Sequence, residues 1–178
     1  MSRSLRATIA AGAAVAVASV ILLTGCASPA PTGPTLASTK SPAQLLRNEI
    51  AGRVPPAVID ELGETEDVSV GCGQNGLMRS WRSSALMFVK PSSAWRVGKV
   101  LSEVTKSLTT EGWNAEDDDS TKSVSQRRLT SPGKGAKITL TAVKAADKKG
   151  NGASLEIAVN GACVLTGGPD SEEVKKLE

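Results

Sequence analysis

The sequence predicts an α+β fold: a two-layer sandwich with one mainly antiparallel sheet and one long helix, about residues 93–111, covering a face of it. Three observations lead there. Ala94, Val97, Leu101, Val104 and Leu108 recur at helical spacing, with Val100 widening the same stripe. Short stretches such as KITLTAV and SLEIAVN alternate apolar and polar residues, as half-buried strands do. The last strands follow one another through polar, glycine-bearing loops, which suits an antiparallel meander with one wet face.

Taken in order, PAQLLRNEIAG (residues 42–52) reads as a short helix, with Leu45, Leu46 and Ile50 inward and Gly52 as its stop. Pro55-Pro56 breaks it, and VPPAVIDEL is expected to add a second short turn. In DVSVGC, Val68, Val70 and Cys72 share one strand face, which is expected to point at the core. GQNG turns the chain, and SALMFVK (residues 84–90) reads as a central strand buried on both sides. Pro91 ends that strand. Ser92 or Ser93 is the expected N-cap of the long helix, and Gly112 its left-handed stop. Beyond the acidic EDDDS loop, strands are expected at 124–130, 137–144 and 153–160. Their inward residues are Ile138, Leu140 and Ala142, then Leu155, Ile157 and Val159. The tail GGPDSEEVKKLE (residues 167–178) is polar and expected to fray.

The first 25 of the 178 residues look like a targeting segment rather than part of the fold. Arg3 and Arg6 precede an uncharged run from Ala7 to Leu23, and small residues follow. A membrane-spanning anchor is the competing reading. It is opposed by the modest length, the Ala-rich composition and the lack of a basic cluster after the run. Without this segment the net charge falls from +3 to +1, which gives no support for nucleic-acid binding.

Leu23-Thr24-Gly25-Cys26 resembles the lipobox of bacterial lipoproteins. The resemblance implies a thioether-linked diacylglyceryl on Cys26, cleavage before it, and a protein held on the extracytoplasmic face of the cell membrane. Two acyl chains anchor stably where one is marginal. Residues 26–44, rich in Pro, Ser, Thr and Ala, then read as an extended tether, and residues 45–166 as a single domain. Gly71-Cys72, Glu111-Gly112-Trp113 and Gly161-Ala162-Cys163-Val164 make that domain similar to small lipoproteins of high-GC Gram-positive bacteria, a likeness that carries no activity. If Cys26 is lipidated, Cys72 and Cys163 remain as an even pair in a compartment that permits disulfides. A bridge between them is expected, with two buried thiols as the alternative.

Chemistry is sparse. With no His, the arrangements Ser-His-Asp and Cys-His are excluded, and so is the usual general base near neutral pH. No nucleotide-binding fingerprint occurs, and no cofactor or metal is expected. Ser131-Pro132-Gly133-Lys134 matches S-x-x-K in letters only, because Pro-Gly reads as a turn. The run Glu116–Asp119 suits a hard cation in charge but lacks EF-hand spacing, so a solvated loop is the plainer reading. Trp81, Arg82 and Trp95, with Arg79 and Arg96 nearby, form a candidate partner surface, against the simpler reading that the tryptophans complete an aromatic-poor core. The expected function is a non-enzymatic, lipid-anchored envelope module that binds a partner or ligand. The alternative is an envelope hydrolase using two carboxylates from separate elements.

Overall fold

The computed structural model describes residues 33–178 except 117–119, 134, 147, 148 and 150. The signal segment, Cys26 and most of the acidic run therefore lie outside the described residues, as does Lys134 of the S-x-x-K match. The elements are α1 (Leu36–Ala51), a 3-10 turn at Pro56–Val58, β1 (Ile59–Cys72), β2 (Met78–Val89), a 3-10 stretch at Pro91–Arg96 leading into α2 (Val97–Thr110), β3 (Asn114–Ala115), β4 (Val124–Thr130), β5 (Lys137–Val143), β6 (Ser154–Asn160), β7 (Val164–Leu165) and α3 (Glu172–Leu177).

The described strands make one antiparallel sheet in the order β1-β2-β6-β5-β4-β3, with β7 pairing β2 past the end of β6. The α+β class and the antiparallel meander are as the sequence predicts. One sheet face carries Leu129, Ile138, Leu140, Ala142, Leu155 and Ile157, all buried. Helix α2 lies on it through Val97, Val100, Leu101, Val104 and Leu108, the stripe read from the sequence. Its end is fixed where Gly112 takes φ 93° and the Trp113 N–H donates to the Leu108 carbonyl at 3.1 Å.

The covering layer differs from the expectation of a single helix, because α1 lies on the same face over β2 and β6. Residues 36–44, read as tether, are helix: Leu36, Thr39, Ala43, Arg47 and Ile50 are buried at helical spacing. The Ser/Thr/Pro-rich composition concealed this. Thr35 and Ser38 form a reciprocal capping box, and Pro42 sits inside the helix. The expected inward Leu45 points out, 68% exposed.

The C-terminal tail is ordered as well. Ser171 caps α3, and Val174 is buried. The Glu173 carboxylate accepts from the Leu36 N–H at 2.6 Å and the Ala37 N–H at 3.4 Å. A carboxylate here satisfies two of α1's orphan donors at the positive end of its dipole.

Strand β1 is longer than its apolar stretch because the hairpin ladder with β2, rather than hydrophobicity, holds it. As an edge strand it carries Asp60, Glu61, Glu64 and Glu66 and two register breaks, which discourage pairing with another chain. Its facing is the reverse of that expected. Asp67 and Ser69 turn toward the helices, opposite Ser83 and Trp81, so Val68, Val70 and Cys72 lie on the other face. Strand β2 is likewise not buried on both sides, since Phe88 is 41% exposed. The long helix is not capped by Ser92 or Ser93 either; Pro91 opens a 3-10 stretch, and α2 starts without a side-chain cap.

Cys72 and Cys163 form a disulfide with a Cα–Cα distance of 6.0 Å. It joins the end of β1 to the segment just before β7, on the helix-free side of β2. Asn160 pairs with Arg82 and Val164 with Arg79, so Gly161–Cys163 contain one residue more than β2 does opposite them. This bulge separates β6 from β7.

Two stability outcomes follow. Closing a loop of 91 residues contributes at most about 4–5 kcal/mol in the chain-entropy picture. Urea unfolding of a Cys72→Ser/Cys163→Ser double variant should show a loss up to that size and no loss of native secondary structure by circular dichroism. Leu36→Ala should cost about 2–4 kcal/mol in the same assay, because Leu36 is 0% exposed; a tether residue would cost nothing.

Candidate functional site

Helix α1 is fastened to the sheet by a polar cluster around a buried indole. Trp81 is 1% exposed, and its Nε1–H donates to Asp67 Oδ1 at 3.3 Å. Asp67 Oδ2 receives Arg47 Nη1 from α1 at 3.3 Å, and Lys40 Nζ stands 4.2 Å from the Trp81 ring centroid. Burial alone would raise the Asp67 pKa; the neighbouring polar side chains of Ser83, Gln44 and Trp81, together with the Arg47 charge, outweigh it and hold the carboxyl below its ordinary value.

Close approach of helix and sheet requires a glycine at position 161. A Cβ there would lie 3.0 Å from Thr39 Cβ and 3.2 Å from the Thr39 carbonyl oxygen. Beside this contact, between α1 and the chain that follows α2, runs an open groove of about 600 Å³. Ala43, Leu45 and Leu46 form one wall, Trp113 and Pro132 the other, and Val159 lies between.

At the edge of the groove stand Glu49 and Glu111, both tied to Arg53. Arg53 Nη1 and Nη2 meet the two Glu111 oxygens at 2.6 and 2.8 Å, and Nη2 also meets Glu49 at 2.6 Å. The Arg53 hydrogen bond holds the Glu111 carboxyl below the usual range, and the Glu111 hydrogen bond raises Arg53 in turn. The cluster ties the C-terminal ends of α1 and α2 together. Ser131 and Pro132 also line the groove, at a turn where Gly133 takes φ 74°.

The opposite sheet face has a different character. A shallow pocket of about 250 Å³ spans β2, β6, β5 and β4. Three lateral rows build it: Arg82 beside Asn160, then Ala158 beside Thr139 and Arg128, then Glu156 beside Thr141 and Gln126. Ser84 and Ala158 are buried even on this open face. Arg82 Nη2 pairs with Glu156 at 3.2 Å, whereas Arg82 Nε and Asn160 Oδ1 are buried without a partner in the protein. Among the described residues, no cluster of three His, Cys, Asp or Glu side chains that could hold a metal is present.

The candidate surface of Trp81, Arg82 and Trp95 does not assemble. Trp81 and Arg82 are neighbours on a strand, so one side chain goes under α1 and the other onto the open face. Trp95 lies past the end of β2 in the 3-10 stretch, 79% exposed, with the Arg96 guanidinium 5.8 Å from its ring centroid. The groove and the open-face pocket went unseen because each is made of ordinary residues brought together by strand order and by α1. Comparison of the chain with family models, curated proteins and solved structures gave no match in any of the three.

Asp67 has a folded-state pKa below that of the unfolded chain, so its contribution is complete above about pH 4 and vanishes as the pH falls through the lower folded value. Stability measured in urea between about pH 5 and pH 2 should therefore decline in the parent protein. The decline should be shallower in Asp67→Asn, which has no such proton to bind.

Proposed function

We propose that the protein is a lipid-anchored module on the extracytoplasmic face of the cell membrane, held through Cys26, which binds an acyl chain in the α1 groove and performs no chemistry on it. The observation that carries this reading is the groove itself: of ligand-site size, walled by Ala43, Leu45, Leu46, Trp113 and Pro132, and open along one side. Its position supports an envelope lipid as the occupant. Pro34 lines the groove and lies eight residues after Cys26, so the connecting chain reaches at most roughly 30 Å. An anchor at Cys26 would keep the groove close to the bilayer surface.

The hydrolase alternative has one observation in its favour, since Glu49 and Glu111 come from different elements and line the same groove. A carboxylate hydrolase needs one of its pair protonated near neutral pH. Arg53 binds both, and Glu111 is pushed the other way. The pair acts as an ion-paired tie between helices, which favours binding over catalysis.

Native mass spectrometry of the protein purified from membranes should detect one acyl lipid retained in addition to any covalent anchor. Leu45→Glu, at an exposed position on the groove wall, should lower that occupancy about tenfold while leaving the fold intact. Absence of a retained lipid from both proteins would overturn the acyl assignment.

A further inference from the structure

We propose that the pocket on the open face of the sheet is a second binding site, and that its ligand is a saccharide bearing a carboxylate. The inference rests on the β2-β6-β5-β4 surface alone and does not depend on what occupies the α1 groove. Four features support it. First, the pocket has a built form, with the small residues Ala158 and Thr139 at its centre and the longer Arg82, Glu156, Gln126 and Arg128 around them. A flat solvated sheet would leave Ala158 exposed. It is 5% exposed.

Second, its lining is almost wholly polar, with donors and acceptors interleaved: two guanidinium groups, two amides, two hydroxyls and one carboxylate. Such a set suits a ligand dense in groups that both donate and accept, and a sugar ring is that ligand. An acyl chain is excluded here, since it would bury these groups unpaired. Third, Arg82 Nε, a donor, and Asn160 Oδ1, an acceptor, have no partner in the protein and belong to residues directly opposite on adjacent strands. One hydroxyl can accept from the first and donate to the second. Both atoms are buried, so a ligand reaches them only by turning side chains of the pocket aside. Fourth, Glu156 is paired with Arg82, and Lys137 adds a positive charge in the same row as Asn160. That charge favours an acidic sugar over a neutral one.

The test uses the full-length protein in detergent micelles, titrated with glucuronate, glucose and acetate and followed by isothermal calorimetry and backbone-amide shifts. Glucuronate should bind saturably and shift amides around residues 82, 139, 141, 156 and 160, at least about tenfold more tightly than glucose or acetate. Arg82→Lys keeps the charge but removes the Nε donor, and Thr141→Val keeps the shape but removes a hydroxyl. Each should weaken glucuronate about tenfold while circular dichroism stays unchanged. The proposal is overturned if glucuronate gives no saturable shift, so that water alone meets these groups. It is equally overturned if acetate binds as tightly as glucuronate, or if both folded variants bind like the parent.

Discussion

The rest of the structure depends on how α1 is held against the sheet, and that attachment centres on one indole. In a chain with three Trp, one Phe and no Tyr, Trp81 is the largest fully buried side chain. Its ring supplies apolar area beneath α1, and its N–H engages Asp67, which in turn receives Arg47. Removing Asp67 would leave the Trp81 N–H buried without its acceptor, which costs more than the intact hydrogen bond contributes. The Gly161 contact with Thr39 then sets how closely helix and strand approach, and the groove is the space left beside that contact.

The sheet separates two chemistries by the simple alternation of strand side chains. Residues of odd number along β2 from Trp81 to Val89 face the helices, and those of even number from Ser80 to Phe88 face away. The helical side offers an apolar groove and the open side a polar pocket, with no side chain common to both. Arg82 belongs wholly to the second. Its adjacency to Trp81 in sequence is what made the pair look like one surface.

Periodicity made the middle and end of the fold legible. Strands β4, β5 and β6 emerge within a residue of their sequence-based limits, and α2 buries its expected stripe from Val97 on although it starts about four residues late, because burial here is decided locally by apolar spacing. Helix α1 was hidden because two positions of its buried face are a Thr and an Arg, and a Pro lies within it. The facing of β1 was misread because polar Asp67 and Ser69 point inward, satisfied by groups from α1, β2 and the C-terminus that no local pattern reveals. The disulfide partners followed from counting cysteines, though not the face on which they meet. The two candidate pockets were illegible for the same reason as β1: their residues converge only through strand order.

The carboxylate of Glu173 at the start of α1 has a consequence for the order in which the protein is completed. The helix that walls the groove is among the first segments of the folded unit to be synthesised, yet two donors of its first turn wait for a residue 137 and 136 positions later. Until α3 leaves the ribosome, α1 has its own capping box but not the distant one, and its N-terminal turn is free to fray. A residue of α3 therefore finishes a helix made long before it, so a chain that stops short of α3 would carry every residue of the groove and still lack a firm wall.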